Sequence, residues 1–197
     1  NSLSLSAHGA GNLLVSRVIS GAELDIGLKG SGNMYLRGEL KAANMLLNTT
    51  GSGKIVFDNG VTINDKAEWT HHGSGDCSIR ELQASSLTFK IMGSSDLDIS
   101  SVNAQYLDLT SRGSGDVKMG SGKAEEVNIS ITGSGDISME GVESKSGNIS
   151  IRGSGDVGVW VTEKLNAVIQ GSGDVKYRGN PAEKMVQKNG SGSLKSL

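Results

Sequence analysis

The chain has 197 residues, 36% hydrophobic and 4% aromatic, with 29 glycines, one proline, one cysteine and a net charge of −2. The near-neutral charge without a basic cluster excludes an electrostatic footprint for nucleic acid, and the lack of a long apolar run excludes a membrane-spanning helix. Cys77, alone, excludes an internal disulfide, and so much glycine with so little proline is not the composition of a proline-rich disordered segment.

In chain order, Leu3, Leu5 and Ala7 alternate with polar residues as a strand does. The sequence thus reads as beginning in mid-coil, as a mature or trimmed product would. At Gly9 stands GAGN, the first copy of a motif that returns as GSGN at Gly30, GSGK at Gly51 and GSSD at Gly93. It is GSGD at Gly73, Gly113, Gly133, Gly153 and Gly171, and GSGS at Gly190. Successive starts are 21, 21, 22, 20, 20, 20, 20, 18 and 19 residues apart. A period of about 20 residues defines a repeat architecture in which each unit covers its neighbours with a narrow apolar stripe.

Within each repeat the fourth residue after the first glycine is apolar: Leu13, Met34, Ile55, Cys77, Leu97, Val117, Ile137, Val157, Val175. So is the sixth: Val15, Leu36, Phe57, Ile79, Ile99, Met119, Met139, Val159, Tyr177. A mostly polar or small residue separates them, which predicts a short strand with one buried face. A second strand is predicted just before the next motif, with Leu24, Ile26, Leu28, then Leu87, Phe89, Ile91, then Val127, Ile129, Ile131 facing inward. Between the two strands the repeats vary, as at Gly120 to Glu125 and Glu140 to Ser146, and a loop is expected there. Helical periodicity is absent. The six-residue repeat of a left-handed β-helix and the asparagine column of a leucine-rich repeat are absent too.

The expected fold is therefore all-β: a single-domain right-handed parallel β-helix (β-solenoid) of about nine coils over residues 1–197. Residues 1–8 form a partial N-terminal coil, and residues 180–197 form a C-terminal cap region, in which the charged stretch Glu183 to Lys188 breaks the alternation. An uncapped N-terminal strand edge predicts end-to-end pairing of copies.

Glycine at the first and third motif positions suits positive φ or close backbone approach. A phosphate loop would need a following helix, and strands follow here. Asp76, Asp96, Asp116, Asp136, Asp156 and Asp174 form one column over six coils. Stacked about 4.8 Å apart, neighbours repel by about 0.9 kcal/mol even in water. The expected compensation is capping of each aspartate's own turn; calcium between turns is the alternative, although calcium-binding rolls use a nine-residue repeat. No metal site is expected at His71, His72 and Cys77, since Cys77 and His71 point inward and His72 outward. Trp69, Phe57 and Phe89 read as core, whereas Trp160 and Tyr35 read as outward and lie about six coils apart.

The recurring G-S-G-D-[VIL]-x-[VIM] strand resembles the auto-transporter adhesin head domain family of bacteria. The stretch Val175-Lys176-Tyr177-Arg178-Gly179-Asn180-Pro181, followed by Gly190-Ser191-Gly192-Ser193-Leu194, is similar to that family's closing segment. The resemblance implies an exported protein of the bacterial cell surface, outer membrane or periplasm. It brings no catalytic residue, cofactor or metal ligand with it. The expected function is a non-catalytic adhesin-like binding or structural module that meets a glycan or a protein surface. The alternative is a β-helix enzyme that degrades or modifies polysaccharides, for which the outward residues Asp98, Asp108, Lys90 and Arg112 are the raw material.

Overall fold

The computed structural model describes residues 1–197, and its regular structure is entirely β. The strands are β1 Ser2–Gly9, β2 Leu13–Val15, β3 Ile19–Gly30, β4 Met34–Leu36, β5 Leu40–Gly51, β6 Ile55–Gly73 and β7 Cys77–Gly93. They continue with β8 Leu97–Gly113, β9 Val117–Gly133, β10 Ile137–Gly153, β11 Val157–Gly171, β12 Val175–Arg178, β13 Glu183–Gly190 and β14 Leu194–Ser196. All belong to one sheet, whose main path runs β1-β3-β5-β6-β7-β8-β9-β10-β11-β12-β14; β13 lies on β11, and β2 joins β6 through β4. Every pairing is parallel, and the strands keep one register through each glycine corner, with shifts confined to the stretches between corners. The result is a β-solenoid of about ten turns, one for each motif copy, against the nine expected.

Val117 pairs with Ile137 and Ile137 with Val157, all fully buried, so residues one repeat apart do sit on one another. The interior is a single column of buried hydrophobic side chains from Ile19 to Tyr177. Phe57, Trp69 and Phe89 are inside it, with ring centroids 5.9 and 6.1 Å apart, a spacing that favours edge-on and tilted aromatic pairs.

The structure corrects the expected loop. Strands β6 to β11 run unbroken from one glycine corner to the next, and the variable segment is β-structure too. It adds a third pair of inward positions per coil: Val61 and Ile63, Leu82 and Ala84, Val102 and Ala104, Gly122 and Ala124, Val142 and Ser144. Length differences are absorbed as bulges, such as the register shifts between Met139 and Glu143 and between Ser144 and Ser146 where the short coil β11 meets β10. At one bulge the buried Ser144 hydroxyl donates to the Trp160 carbonyl at 2.8 Å, which satisfies both groups.

At the corner, the two glycines do different things. The first has positive φ, as at Gly113 (143°). The third has ordinary φ but no room: a Cβ on Gly115 would lie 2.0 Å from the Ser95 carbonyl oxygen of the coil before it. Close stacking lets the Ser134 and Gly135 N–H groups both donate to the Gly113 carbonyl, at 3.0 and 3.4 Å.

Candidate binding face

The aspartate column lies beside the corner, and its chemistry differs from the expected capping of each residue's own turn. Each carboxylate accepts from the backbone N–H of its counterpart one coil further on. Asp96 N–H donates to Asp76 Oδ1 at 3.2 Å, Asp116 N–H to Asp96 at 2.9 Å, and Asp136 N–H to Asp116 at 2.8 Å. The ladder continues through Asp156 and Asp174 to the Ser193 N–H. Asn12 and Asn33 begin the same ladder, since the Asn33 N–H donates to Asn12 and the Lys54 N–H to Asn33. Lys54 offers no acceptor in turn, so the series lapses between the coils that start at Gly51 and Gly73. The backbone donors compensate the stacked negative charge at the atoms that carry it. Near the far end, hydrogen bonds from Lys195 and Ser193 hold the Asp174 carboxyl at a pKa of about 2.

His71 is buried and hydrogen-bonded through Nδ1 to the Thr49 hydroxyl, while its Nε2 has no partner. Burial and the neighbouring His72 push its pKa below the usual imidazole value. Cys77 is buried close by, and burial pushes its thiol well up, away from the reactive thiolate. Trp160 is half-buried under the Arg178 guanidinium, 4.2 Å from its ring, so its indole is already engaged.

The widest concavity lies on the strand face leading into the corners. Five residues before successive corners stand Thr88, Asp108, Asn128, Asn148 and Asn166; three residues before them stand Lys90, Thr110, Ser130, Ser150 and Val168. These side chains, short except for Lys90, make the floor of a groove of about 600 Å³. Over five coils it runs roughly 20 Å along the solenoid. Longer side chains flank it in the adjoining outward columns: Tyr106, Glu126 and Lys164 on one side, Arg112 and Arg152 on the other.

A side-chain ladder crosses the floor. Asn128 Nδ2 donates to Asp108 Oδ1 at 2.9 Å, Asn148 Nδ2 to Asn128 Oδ1 at 2.8 Å, and Asn166 Nδ2 to Asn148 Oδ1 at 2.9 Å. An ionised carboxylate only accepts, so Asp108 fixes the direction in which every amide above it points. Asn166 ends the series with a buried Oδ1 that accepts nothing. Towards β1 the groove is interrupted by Glu68, which Lys90 and Lys66 bind at 2.7 and 3.0 Å; those bonds hold its carboxyl below the usual range. Beyond that cluster a second hollow, of about 460 Å³, continues over Ser4, Asp25 and Leu46.

Of the outward residues weighed for catalysis, the structure brings Lys90 and Asp108 to one groove. Asp98 is in register with Ser78 and Lys118 on a different part of the coil, and Lys90 is committed to Glu68. Tyr35 lies on β4, away from the groove. The asparagines carry a signal of their own in the sequence, since Asn128, Asn148 and Asn166 recur five residues before their glycines, whereas Tyr106 has no counterpart in the neighbouring repeats.

The fold and this face define a β-solenoid with one long polar surface. Two overlapping matches to the family model "Putative auto-transporter adhesin, head GIN domain" span residues 1–104 and 61–181, and the chain belongs to that family. A crystal structure of a putative lipid binding protein from Parabacteroides distasonis is similar, with 26% identity and a TM-score of 0.60, covering 89% of this chain and 61% of the other. A putative adhesin from Parabacteroides merdae shares the fold, with 24% identity, a TM-score of 0.62, and coverage of 89% and 63%. This chain thus spans about three fifths of the length of either structure. No protein of curated function matches it.

Proposed function

We propose that this chain is a non-catalytic, exported module that presents its long strand face, at the bacterial cell surface, outer membrane or periplasm, to a glycan or protein surface. The observation that carries this reading is the continuous groove over five coils, floored by amides and hydroxyls that one carboxylate orients. Membership of an adhesin head family supports it. Repeat proteins bind through extended faces of this kind. Polysaccharide cleavage would require an acid and a base on either side of one bond, and the separate placement of Asp98 and the pairing of Lys90 with Glu68 argue against that alternative.

The similarity to the Parabacteroides distasonis structure described as a putative lipid binding protein suggests a second occupant for the same face. The interior of this chain is filled by one cluster of buried hydrophobic side chains, and the small pocket beside Trp69 and His71 has a volume of only about 10 Å³. An acyl chain would have to lie outside. The test is retention of protein-coated beads on immobilised glycans, matrix proteins and phospholipid vesicles. Retention on one of these surfaces, without release of reducing ends from uronate polymers, is expected. Failure to be retained on any of them, or steady release of reducing ends, would overturn the reading.

A further inference from the structure

From the groove's chemistry we infer that its occupant is a neutral glycan chain lying along the solenoid axis, with Tyr106 as the stacking platform and Asn128, Asn148 and Asn166 as the hydroxyl readers. This rests on the proposed binding role and names its ligand class.

Three observations converge on it. From Asn128 to Asn166 the floor side chains are uncharged, and the two charged lining residues lie towards one end, where Lys90 is bound to Glu68 and Asp108 accepts from Asn128. Asn128 spends one N–H and one carbonyl lone pair on the ladder, Asn148 spends one lone pair and both N–H groups (the second on Glu126 Oε1 at 3.3 Å), and Asn166 spends one N–H. An amide has two N–H donors and two lone pairs, so Asn128 keeps a donor and an acceptor, Asn148 an acceptor and Asn166 a donor. Sugar hydroxyls, which donate and accept at once, match that pair of functions. Finally, Tyr106 stands in the column next to the asparagines, in register with Ser86 and Glu126, with 52% of its surface exposed. An exposed aromatic ring beside fixed planar amides can take the apolar face of a pyranose while the amides take its edge. The amides repeat once per coil, about every 4.8 Å, close to the length of one sugar in an extended chain. One hydroxyl reader per sugar follows.

The rival occupant is an acidic polymer held by Arg112 and Arg152, whose side chains make no ion pair and flank the groove on the corner side. Titration of the full chain with linear hexaoses of glucose, mannose, galactose and N-acetylglucosamine, followed by NMR of the asparagine side-chain amides, separates the two. At least one neutral hexaose should shift the Asn128, Asn148 and Asn166 resonances, with little dependence on salt. Tyr106→Ser should weaken binding at least fivefold, and Asn148→Ala at least tenfold. Asn103→Ala, outside the groove, should leave binding unchanged. Tyr106 is exposed, so its variant folds normally; a circular-dichroism melt checks both groove variants. The inference is overturned if no neutral hexaose binds at millimolar concentration, or if binding ignores Tyr106→Ser and Asn148→Ala. It is also overturned if only uronate or sulfated polymers bind, in a salt-sensitive way that Arg112→Gln abolishes. Retention of the protein on a protein or vesicle surface with no hexaose binding would sink the glycan while leaving the binding module standing.

Discussion

Replacing Asp116 by alanine removes the acceptor for the Asp136 N–H and should cost about 1 kcal/mol in urea unfolding, whereas Asp116→Asn keeps an Oδ1 and should cost little. The asparagines at positions 12 and 33 already make the same bond. Conversely, Lys54→Asn supplies the missing acceptor for the Asp76 N–H and should stabilise by about 0.5–1 kcal/mol. His71 works in the opposite sense to a stabilising salt bridge. Its folded pKa is lowered, so below the unfolded value of about 6.5 the unfolded chain binds a proton that the folded one resists. Stability is therefore full above that pH and declines as pH falls through it. Asp174 adds a second decline: its folded value of about 2 lies below its unfolded value of 3.8, so its contribution is present above about pH 4 and is lost between there and pH 2. The double variant Thr49→Val, His71→Ile removes both partners of the buried pair and should flatten the first slope, between about pH 6.5 and 5, in thermal melts. An isoleucine there continues the stack of Ile91 above it.

At the scale of the element, the corner decides what each coil tolerates. Gly113→Ala forces positive φ on a residue with a side chain and places a Cβ 1.9 Å from the Gly93 carbonyl oxygen, so a loss of about 2–5 kcal/mol is expected in chemical denaturation. The terminal strand β13 puts Lys184, Val186 and Lys188 in register with the buried Leu165, Ala167 and Ile169. Lysines at inward positions of an edge discourage another strand from docking. Lys184→Leu with Lys188→Val should accordingly increase self-association in sedimentation velocity. The strands flanking each corner were legible because their alternation sits at a fixed distance from a motif that always begins with glycine and is Gly-Ser-Gly in all but two copies. The middle segment was not, although Val61 and Ile63, or Leu82 and Ala84, alternate as plainly. Bulges shift its distance from the corner from coil to coil, and Gly122 and Ser144 hide its inward positions behind polar-looking or small residues. The aspartate column was visible too. Its partner was not, because a bond to the next coil is a property of the stack and no single repeat contains it.

For the molecule as a whole, repeat stability is the sum of coil terms and interfaces between neighbours. Hydrogen exchange should be slowest in β7 to β11, where nearly all inward positions are buried, and fastest in β1, β2, β13 and β14, whose residues are exposed or half-buried. One junction departs from the rest. Where the corner at Gly51 stacks on the corner at Gly73, the carboxylate series skips a rung at Lys54, and the interior just before those corners holds the Thr49–His71 pair in place of two aliphatic side chains. Pulled from its two ends, a stack of coils carries tension through every interface equally, so failure begins at the weakest. Stretched in an optical trap, this protein should tear first at that seam, leaving two shorter stacks, and mild acid should lower the force at which it parts.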